Sequence, residues 1–251
     1  MTDRPMHSVP GLFDKLSGLY ADGERAIQEG RFADAVARFS EGIGLDDHFR
    51  QRYVTMYAQR AFAYQRLGDH MRAIPDYTRA IEMEPDINKA QYHFHRGMCF
   101  AAIGGHLEHA VADYGRSIAL HDGHPGPFHL RGKILTTEFG RHEEAIADFD
   151  RFLAMRPHPE VFQLRGHAKL LLGRGADAIP DLVESARLAP DVYTDYLLAW
   201  AGAIAPDDEL FYRSMEAVLR ADPSYRPYFV DNDDYRRFYG QARFNAIVGP
   251  G

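Results

Sequence analysis

Histidine is the residue of this sequence with the widest range of possible chemical roles, because an imidazole ring binds metal ions and exchanges protons near neutral pH. The 251 residues include 13 histidines, and four of them fall in one short stretch: His93, His95, His106 and His109. His93 and His95 are two positions apart, so on a helix their rings point to different faces. His106 and His109 lie at a turn and at the start of the following helix. The spacing therefore argues against a shared metal site, and we expect no metal or other cofactor.

A second pair of histidines, His121 and His124, has only Asp122 as an acidic neighbour in the sequence. The single cysteine, Cys99, excludes an intramolecular disulfide and any zinc site built from several cysteines. We interpret Cys99 as a small buried apolar side chain.

Catalytic sequence motifs are missing as well. We find no nucleophile elbow, phosphate-binding loop or zinc-protease helix, and the pair Gly104 and Gly105 belongs to a repeated turn. Lys and Arg number 29 against 36 Asp and Glu, a net charge of -7, whereas phosphate-binding surfaces need clustered cations. The sequence therefore predicts neither an enzyme nor a nucleic-acid-binding protein.

The composition is that of a folded protein, with 45% hydrophobic and 26% charged residues. No apolar stretch is long enough to predict a signal peptide or a membrane-spanning helix. We accordingly expect a cytoplasmic protein without a membrane partner.

The elements that position the side chains come from a pattern that returns five times. A glycine at a turn is followed by an alanine, a large apolar residue and a terminating Pro or Asp. The glycines are Gly30, Gly68, Gly105, Gly140 and Gly173; the alanines are Ala35, Ala73, Ala110, Ala145 and Ala178; the large residues are Phe39, Tyr77, Tyr114, Phe149 and Leu182; the terminating residues are Asp47, Pro85, Asp122, Pro157 and Pro190. Each copy is preceded by an apolar segment with a small residue near its middle, at Gly23, Ala61, Gly97, Gly132 and Gly166.

Each copy predicts a helix, a turn and a second helix. Small residues let two antiparallel helices approach closely, glycine ends the first helix, and proline cannot continue the second. The period of about 34 residues and this residue pattern resemble the tetratricopeptide repeat. The resemblance implies an all-α, right-handed superhelical solenoid. The family's tryptophan in the first helix is missing and is replaced by residues such as Leu19, Tyr57 and His93.

A sixth, degenerate copy follows, with Ala199, Phe211, Met215 and Pro223 in the pattern positions. We predict an N-terminal segment (1–15), an array (16–224) and a C-terminal helical cap (225–251). Within the array the repeats are expected at 16–50, 54–87, 90–123, 125–158, 159–191 and 192–224. Asp231 is a candidate helix N-cap. Apolar residues suited to cover the sixth helix pair are Tyr235, Phe238, Phe244, Ile247 and Val248.

Opposite charges recur in two fixed positions. Four arginines precede the small residue of a first helix, and four aspartates precede the large residue of a second helix: Arg60, Arg96, Arg131 and Arg165, and Asp76, Asp113, Asp148 and Asp181. In the first repeat the signs are exchanged: Asp22 stands in the arginine position, before Gly23, and Arg38 in the aspartate position, before Phe39. The pattern predicts an Arg-Asp pair across each of these five helix pairs that fixes their register.

The resemblance also implies that first helices line a concave groove that binds an extended peptide or a helix. Positions three before and one after the small residue are the candidates for contact. The candidate peptide-binding residues are Tyr20, Phe62, Phe94, Met98, His129, Lys133, Gln163, His167, Tyr196 and Trp200. Phe62, Phe94 and Met98 would form an apolar zone, and His129, Lys133 and His167 a basic zone suited to a carboxylate. Tyr20 and Glu24 replace the cationic clamp with which some members bind acidic chaperone tails.

Three functions stay open from the sequence. The first is a non-enzymatic scaffold that binds a peptide or protein segment of unknown identity. The second is a self-assembling protein that stacks or forms a homo-oligomer through its C-terminal aromatic residues. The third is a sensor of a small molecule or metal that uses the histidine-rich middle repeats.

Overall fold

A computed structural model describes residues 11–45, 54–83 and 88–249. Within these ranges every regular element is helical. The first six helices are α1 (Leu12–Gln28), α2 (Phe32–Leu45), α3 (Val54–Arg66), α4 (His70–Met83), α5 (Lys89–Ile103) and α6 (Leu107–Leu120). The next six are α7 (Pro125–Thr137), α8 (His142–Met155), α9 (Pro159–Leu171), α10 (Gly175–Leu188), α11 (Val192–Ile204) and α12 (Asp208–Ala221). Two short helices follow, α13 (Arg226–Val230) and α14 (Ala242–Val248), with 3-10 turns over Pro223–Tyr225 and Asp233–Phe238.

The chain divides into two compact units, Met1–Pro127 and Phe128–Gly251. In the first unit α1 packs on α2, α3 on α4 and α5 on α6, and α2 and α4 also contact the helix that follows each of them. In the second unit α9 packs on α10 and α11 on α12, and α8 and α10 contact their following helices. Successive helix pairs are the architecture that the repeats predict.

Each helix pair is closed by a small residue on one helix against a large side chain on the other. The five repeat alanines have no exposed surface, and the five large residues are at most 1% exposed. A β-carbon on Gly97 would lie 2.9 Å from the Tyr114 ring, and one on Gly132 would lie 2.7 Å from the Phe149 ring. The predicted close approach is therefore confirmed, because no larger residue fits there without displacing a ring.

The turn between the helices of a pair depends on a left-handed backbone conformation. The turn glycines have φ angles between 62° and 78°: Gly30, Gly68, Gly105, Gly140 and Gly173. Such angles are disfavoured for residues with a β-carbon. The second helices α6, α8 and α10 end two residues before Asp122, Pro157 and Pro190, as predicted. The other predicted terminators, Asp47 and Pro85, lie outside the described residues.

The predicted Arg-Asp pair is present in four repeats. Each arginine donates two hydrogen bonds to one carboxylate through its Nε and one terminal nitrogen, at 2.5 to 2.9 Å. The four aspartate side chains are only 4 to 9% exposed and the four arginine side chains 17 to 26%. Three of the arginines reach a further oxygen, on Ser40, Thr78 or Asp150. The buried bidentate geometry makes these pairs much stronger constraints than exposed ion pairs.

The prediction for the first repeat is wrong. Asp22 pairs with Arg25 on its own helix at 3.1 Å, and Arg38 pairs with Glu41 at 3.8 Å. All four side chains are 43 to 62% exposed. With the signs exchanged, each charge has a closer partner one helical turn away, which satisfies it without crossing the helix pair.

We predict that Arg96→Met lowers the free energy of unfolding by about 3 to 5 kcal/mol, because it leaves the Asp113 carboxylate buried without its main partner. Arg79→Met is the matched control. Arg79 forms an exposed pair with Glu82, so the loss there is expected to be below about 1 kcal/mol. Urea denaturation followed by circular dichroism measures both, and equal losses would contradict a special role for the buried pair.

The C-terminal segment packs on the last long helices of its own unit. Tyr235, Phe238, Phe244 and Val248 are buried in one cluster with Phe211, and Ile247 packs against it. The rings of Phe211 and Phe238 stack at a centroid distance of 3.8 Å. These side chains are therefore used within the chain.

The predicted cap at Asp231 is wrong. Asp231 lies at the C-terminal end of α13, and it is the side chain of the next residue, Asn232, that accepts a hydrogen bond from the Asp234 amide at 3.0 Å. The segment enters a 3-10 turn at this point, so the capping position moves by one residue. The predicted domain boundaries at residues 15 and 224 stay predictions.

A chain that ends at Tyr225 is expected to aggregate, because it loses the rings that cover Phe211 and Met215. Light scattering during size-exclusion chromatography compares it with the full chain. A soluble, monomeric and fully helical truncated protein would show that the segment does not stabilise the array.

Candidate functional site

The first unit contains two adjoining pockets beside α5. A pocket of about 350 Å³ lies between α3, α4 and α5, and one of about 440 Å³ lies between α5, α6 and the turn that follows α6. Gln91 and His95 line both pockets, and we call the two together the α5 groove. The first pocket is lined by Thr55, Ala58, Gln59, Phe62, Tyr77, Asn88, Gln91, Tyr92 and His95, and the second by Ala90, Gln91, Phe94, His95, Ser117, His121, Gly123 and His124.

His95 lies at the centre of the α5 groove among aromatic rings. Its imidazole is stacked with the Tyr77 ring and contacts the Phe62 ring edge-on, with 5.9 and 6.0 Å between the ring centroids. The centroid of the Phe94 ring lies 5.5 Å away. Burial, with a smaller contribution from His124, lowers the pKa of His95 to about 4. The groove therefore presents a neutral histidine between apolar walls at neutral pH.

Four of the predicted contact residues belong to the first unit, and the structure separates them. Phe62 and Phe94 line the α5 groove, one in each pocket. Met98 lines neither pocket; its sulfur lies 3.9 Å from the Gln65 amide nitrogen. Tyr20 also lines neither, and its hydroxyl donates to Glu24 at 2.7 Å.

Sequence reasoning missed Gln59, Gln91, His95 and His124 as groove residues. Gln59 and His95 occupy the same repeat position, two residues before the small residue of the helix. A polar residue at this position in two consecutive repeats was the available signal. The pattern used for the prediction sampled only the positions three before and one after the small residue.

The predicted basic zone in the second unit does not form a free cationic patch. Glu160 pairs with Lys133 at 3.1 Å and lies 3.6 Å from the His129 imidazole. Burial lowers the pKa of His129 more strongly than Glu160 raises it. A carboxylate of the chain itself thus occupies the place that the sequence analysis assigned to a ligand carboxylate.

His167 lies in a different environment from the other two members of that zone. Its ring contacts Tyr193 at 6.2 Å and Trp200 at 6.0 Å. Burial lowers the pKa of His167. Gln163, from the same helix, donates to Thr194 at 2.7 Å. Together with Tyr196, these side chains make this part of the second unit aromatic instead of basic.

Three further histidines of the described residues and the cysteine are engaged within the chain. His93 bonds to the Asp113 carboxylate at 2.7 Å, and the rings of His106 and His109 pack against Phe100. Cys99 is fully buried, and burial raises the pKa of its thiol to about 12. Within the described ranges no three His, Cys, Asp or Glu side chains are grouped to hold a metal ion.

None of the helices that the structure describes combines the length and the apolar character needed to cross a membrane.

Comparison with known proteins identifies the repeat. Tetratricopeptide repeat models match residues 54–87 and 138–193. The chain contains tetratricopeptide repeats. Human tetratricopeptide repeat protein 13 is 28% identical to it over 134 residues, which are 51% of this chain and 15% of the human protein. This chain therefore spans only a small part of the length of that relative.

Solved structures share the same fold at low sequence identity. The C-terminal part of a tetratricopeptide repeat-containing protein from Cytophaga hutchinsonii has a TM-score of 0.66 at 15% identity, over 91% of this chain and 92% of that one. MamA has a TM-score of 0.62 at 17% identity, over 69% and 91%. A chain of the Cut9-Hcn1 hetero-tetramer of the APC/C has a TM-score of 0.52 at 17% identity, over 92% and 46%. The predicted all-α repeat fold is thereby confirmed.

The histidine at the centre of the α5 groove is expected to titrate with a midpoint near pH 4. Its folded pKa lies below the ordinary value of about 6.5, so its contribution to stability is present above pH 6.5 and is lost as the pH falls toward 4. At pH 5 the loss is about 1 to 2 kcal/mol. NMR titration of the imidazole resonances, assigned with a His95→Gln variant, measures the midpoint, and a value near 6.5 would contradict the burial of this ring.

Proposed function

We propose that this tetratricopeptide repeat protein is a non-enzymatic binding module that holds a segment of another protein in the α5 groove. The fold is one that serves protein-protein interaction in general. The observation that carries the finer proposal is the pair of adjoining pockets that share Gln91 and His95. Their volumes, about 350 and 440 Å³, lie in the range of sites that enclose a ligand group.

The chemistry of the groove favours a segment with an apolar side chain. Phe62, Phe94 and Tyr77 offer aromatic surface, and neutral His95 adds no charge at neutral pH. Carboxamides at Gln59 and Gln91 provide donors and acceptors that can pair with an extended backbone. An apolar anchor flanked by peptide groups is the ligand that matches both features.

The two places outside the α5 groove at which the sequence analysis considered an acidic ligand do not favour one. The structure pairs Lys133 with Glu160, and Tyr20 and Glu24 bond to each other in the first repeat. The suggestion of a ligand carboxylate in the basic zone is therefore withdrawn. The cytoplasmic location stays a prediction.

Two observations favour binding over the alternatives of self-assembly and of a sensor that uses the histidines of the middle repeats. The C-terminal aromatic residues proposed for self-assembly are buried within their own unit. Histidines of the middle repeats that a sensor would use are engaged within the chain: His93 bonds to Asp113, and His106 and His109 pack against Phe100. One of the similar solved structures belongs to a hetero-tetramer, an assembly between different proteins that agrees with the proposed role.

Site-specific photo-crosslinking tests the groove. A photo-reactive amino acid at Gln91, which is exposed at the junction of the two pockets, is expected to capture a partner in extracts of the source cell. The same amino acid at Met71, which is 68% exposed on α4 and lines neither pocket, is the matched control. Mass spectrometry identifies the captured protein.

The double variant Phe62→Ala and Phe94→Ala, made in the chain with the Gln91 probe, removes the apolar walls. We expect it to reduce crosslinking at least tenfold, because two aromatic contacts at an interface centre contribute about 2 kcal/mol or more. Circular dichroism confirms that the variant stays folded. Unchanged capture by a folded variant, or equal capture from Met71, would place the binding surface elsewhere.

A further inference from the structure

The second unit carries a cluster of aromatic side chains that the α5 groove does not include. We call it the tyrosine face: Tyr193, Tyr196, Tyr225, Tyr228 and Trp200. Tyr193 is 39% exposed and Tyr228 59% exposed. Tyr196, Tyr225 and Trp200 are half-buried and rest on the C-terminal core cluster. The rings of Tyr193 and Tyr228 are therefore open to solvent, and the other three rings are supported by the core cluster on which they pack.

The rings of the tyrosine face form a continuous surface. Tyr196 is at its centre, with Tyr193 stacked on one side at 6.3 Å and Tyr225 and Tyr228 on the other at 5.7 and 6.1 Å. Tyr225 and Tyr228 also contact each other at 5.5 Å. His167 connects Tyr193 to Trp200, with 6.2 and 6.0 Å between ring centroids. Aromatic residues that form a continuous exposed surface are typical of protein interfaces.

Two carboxylates flank these rings, and both accept hydrogen bonds from neutral donors. Asp234 accepts from the Trp200 indole at 2.8 Å, and Asp191 accepts from the Thr194 amide at 3.0 Å and from the Gln163 amide at 3.2 Å. Neither carboxylate forms an ion pair with a described residue. Both negative charges are thus uncompensated at the edge of the aromatic surface.

The arginines nearest to Asp234 in sequence have other partners. Arg236 pairs with Asp233, Arg237 pairs with Asp208, and Arg226 donates to the Gly249 carbonyl. Over residues 191–251 the sequence has ten Asp and Glu against six Arg and no Lys. Burial lowers the pKa of His167 and raises those of Tyr193 and Tyr196, so the imidazole and both phenols are uncharged at neutral pH.

We propose that the tyrosine face binds a lysine- or arginine-bearing segment of a partner protein. The faces of tyrosine and tryptophan rings attract cations, and the carboxylates of Asp191 and Asp234 add attraction of the same sign. An anionic or purely apolar segment would leave these two charges without a partner. The tyrosine face lies in the second unit and shares no residue with the α5 groove, so either proposal can fail while the other stands.

Trp200 provides a direct signal for this test, because it is the only tryptophan of the chain. The probe is the peptide acetyl-Gly-Arg-Gly-Arg-Gly-amide, titrated into the full chain while the Trp200 fluorescence is recorded. A peptide with citrulline in place of both arginines is the neutral control of nearly equal shape, and a peptide with glutamate is the anionic control. We expect a saturable change with the arginine peptide that weakens as salt is added. Equal responses to the arginine and citrulline peptides would overturn the proposal.

Variants of exposed rings separate a cation-ring contact from general stickiness. Tyr228→Leu keeps an apolar side chain without an aromatic face, and we expect it to weaken binding about two- to fivefold. Tyr228→Phe keeps the ring and is expected to bind like the unaltered chain. Phe13→Leu, at a ring that is 62% exposed in the first unit, is the matched control and should have no effect. If Tyr228→Leu and Tyr228→Phe bind equally, the ring face does not recognise the cation.

Charge is tested with Asp234→Asn, in which the remaining side-chain oxygen can still accept the Trp200 hydrogen bond. We expect binding of the arginine peptide to weaken about twofold, in line with an exposed charge pair, and the citrulline peptide to be unaffected. The double variant Phe62→Ala and Phe94→Ala is expected to bind the arginine peptide normally. Loss of peptide binding in that double variant would place the cation site in the α5 groove and contradict this proposal.

Discussion

The buried Arg-Asp pair is the constraint that fixes the register of four of the helix pairs, those of repeats two to five. An arginine fork and a carboxylate match in only one relative position, so each pair fixes how far one helix is displaced along the other. In the first repeat the apolar contact of Gly23 with Phe39 forms without such a pair, so in the other repeats the charge pair adds a directional constraint to apolar packing. With the register fixed, the large residue of the second helix meets the small residue of the first. The charge pair therefore specifies the packing that the apolar residues then stabilise.

Equivalent pairs differ in their electrostatic environment although their geometry is nearly the same. Burial raises the pKa of Asp113, but Arg96 and His93 outweigh burial and lower it overall. At Asp148 burial prevails over Arg131, and the pKa is raised. The second donor at Asp113 accounts for the difference. By linkage, the stability that ionised Asp113 contributes is lost as the pH falls through its lowered pKa, whereas at Asp148, with a raised pKa, the folded chain takes up a proton more readily than the unfolded chain.

The fold was predictable from the sequence because its signals are repeated and local. The turn glycines, the seam alanines and the Arg-Asp positions recur in the same relative order within each copy. The copies therefore support each other although each one alone is a weak signal. The site was less predictable, because its residues depend on which side chain pairs with which. Glu160 neutralises Lys133, and an i,i+3 partner captures Asp22; neither choice follows from helical spacing alone. The sequence marks His95 only as one of many histidines, and its position between the rings of Phe62 and Phe94 appears only in the structure.

The glycine at the seam of the third repeat has a consequence for the pocket beside it, because Phe94 lies three residues earlier on the same face of α5. The absence of a side chain at Gly97 lets the Tyr114 ring settle against α5, where a β-carbon would lie within 2.9 Å of it. Tyr114 in turn supports the Phe94 ring, 6.0 Å away, and Phe94 forms a wall of the second pocket. The shape of that pocket thus depends, through Tyr114 and Phe94, on the absence of a β-carbon at position 97. The size of the second pocket can therefore be changed at position 97, which does not itself line the pocket.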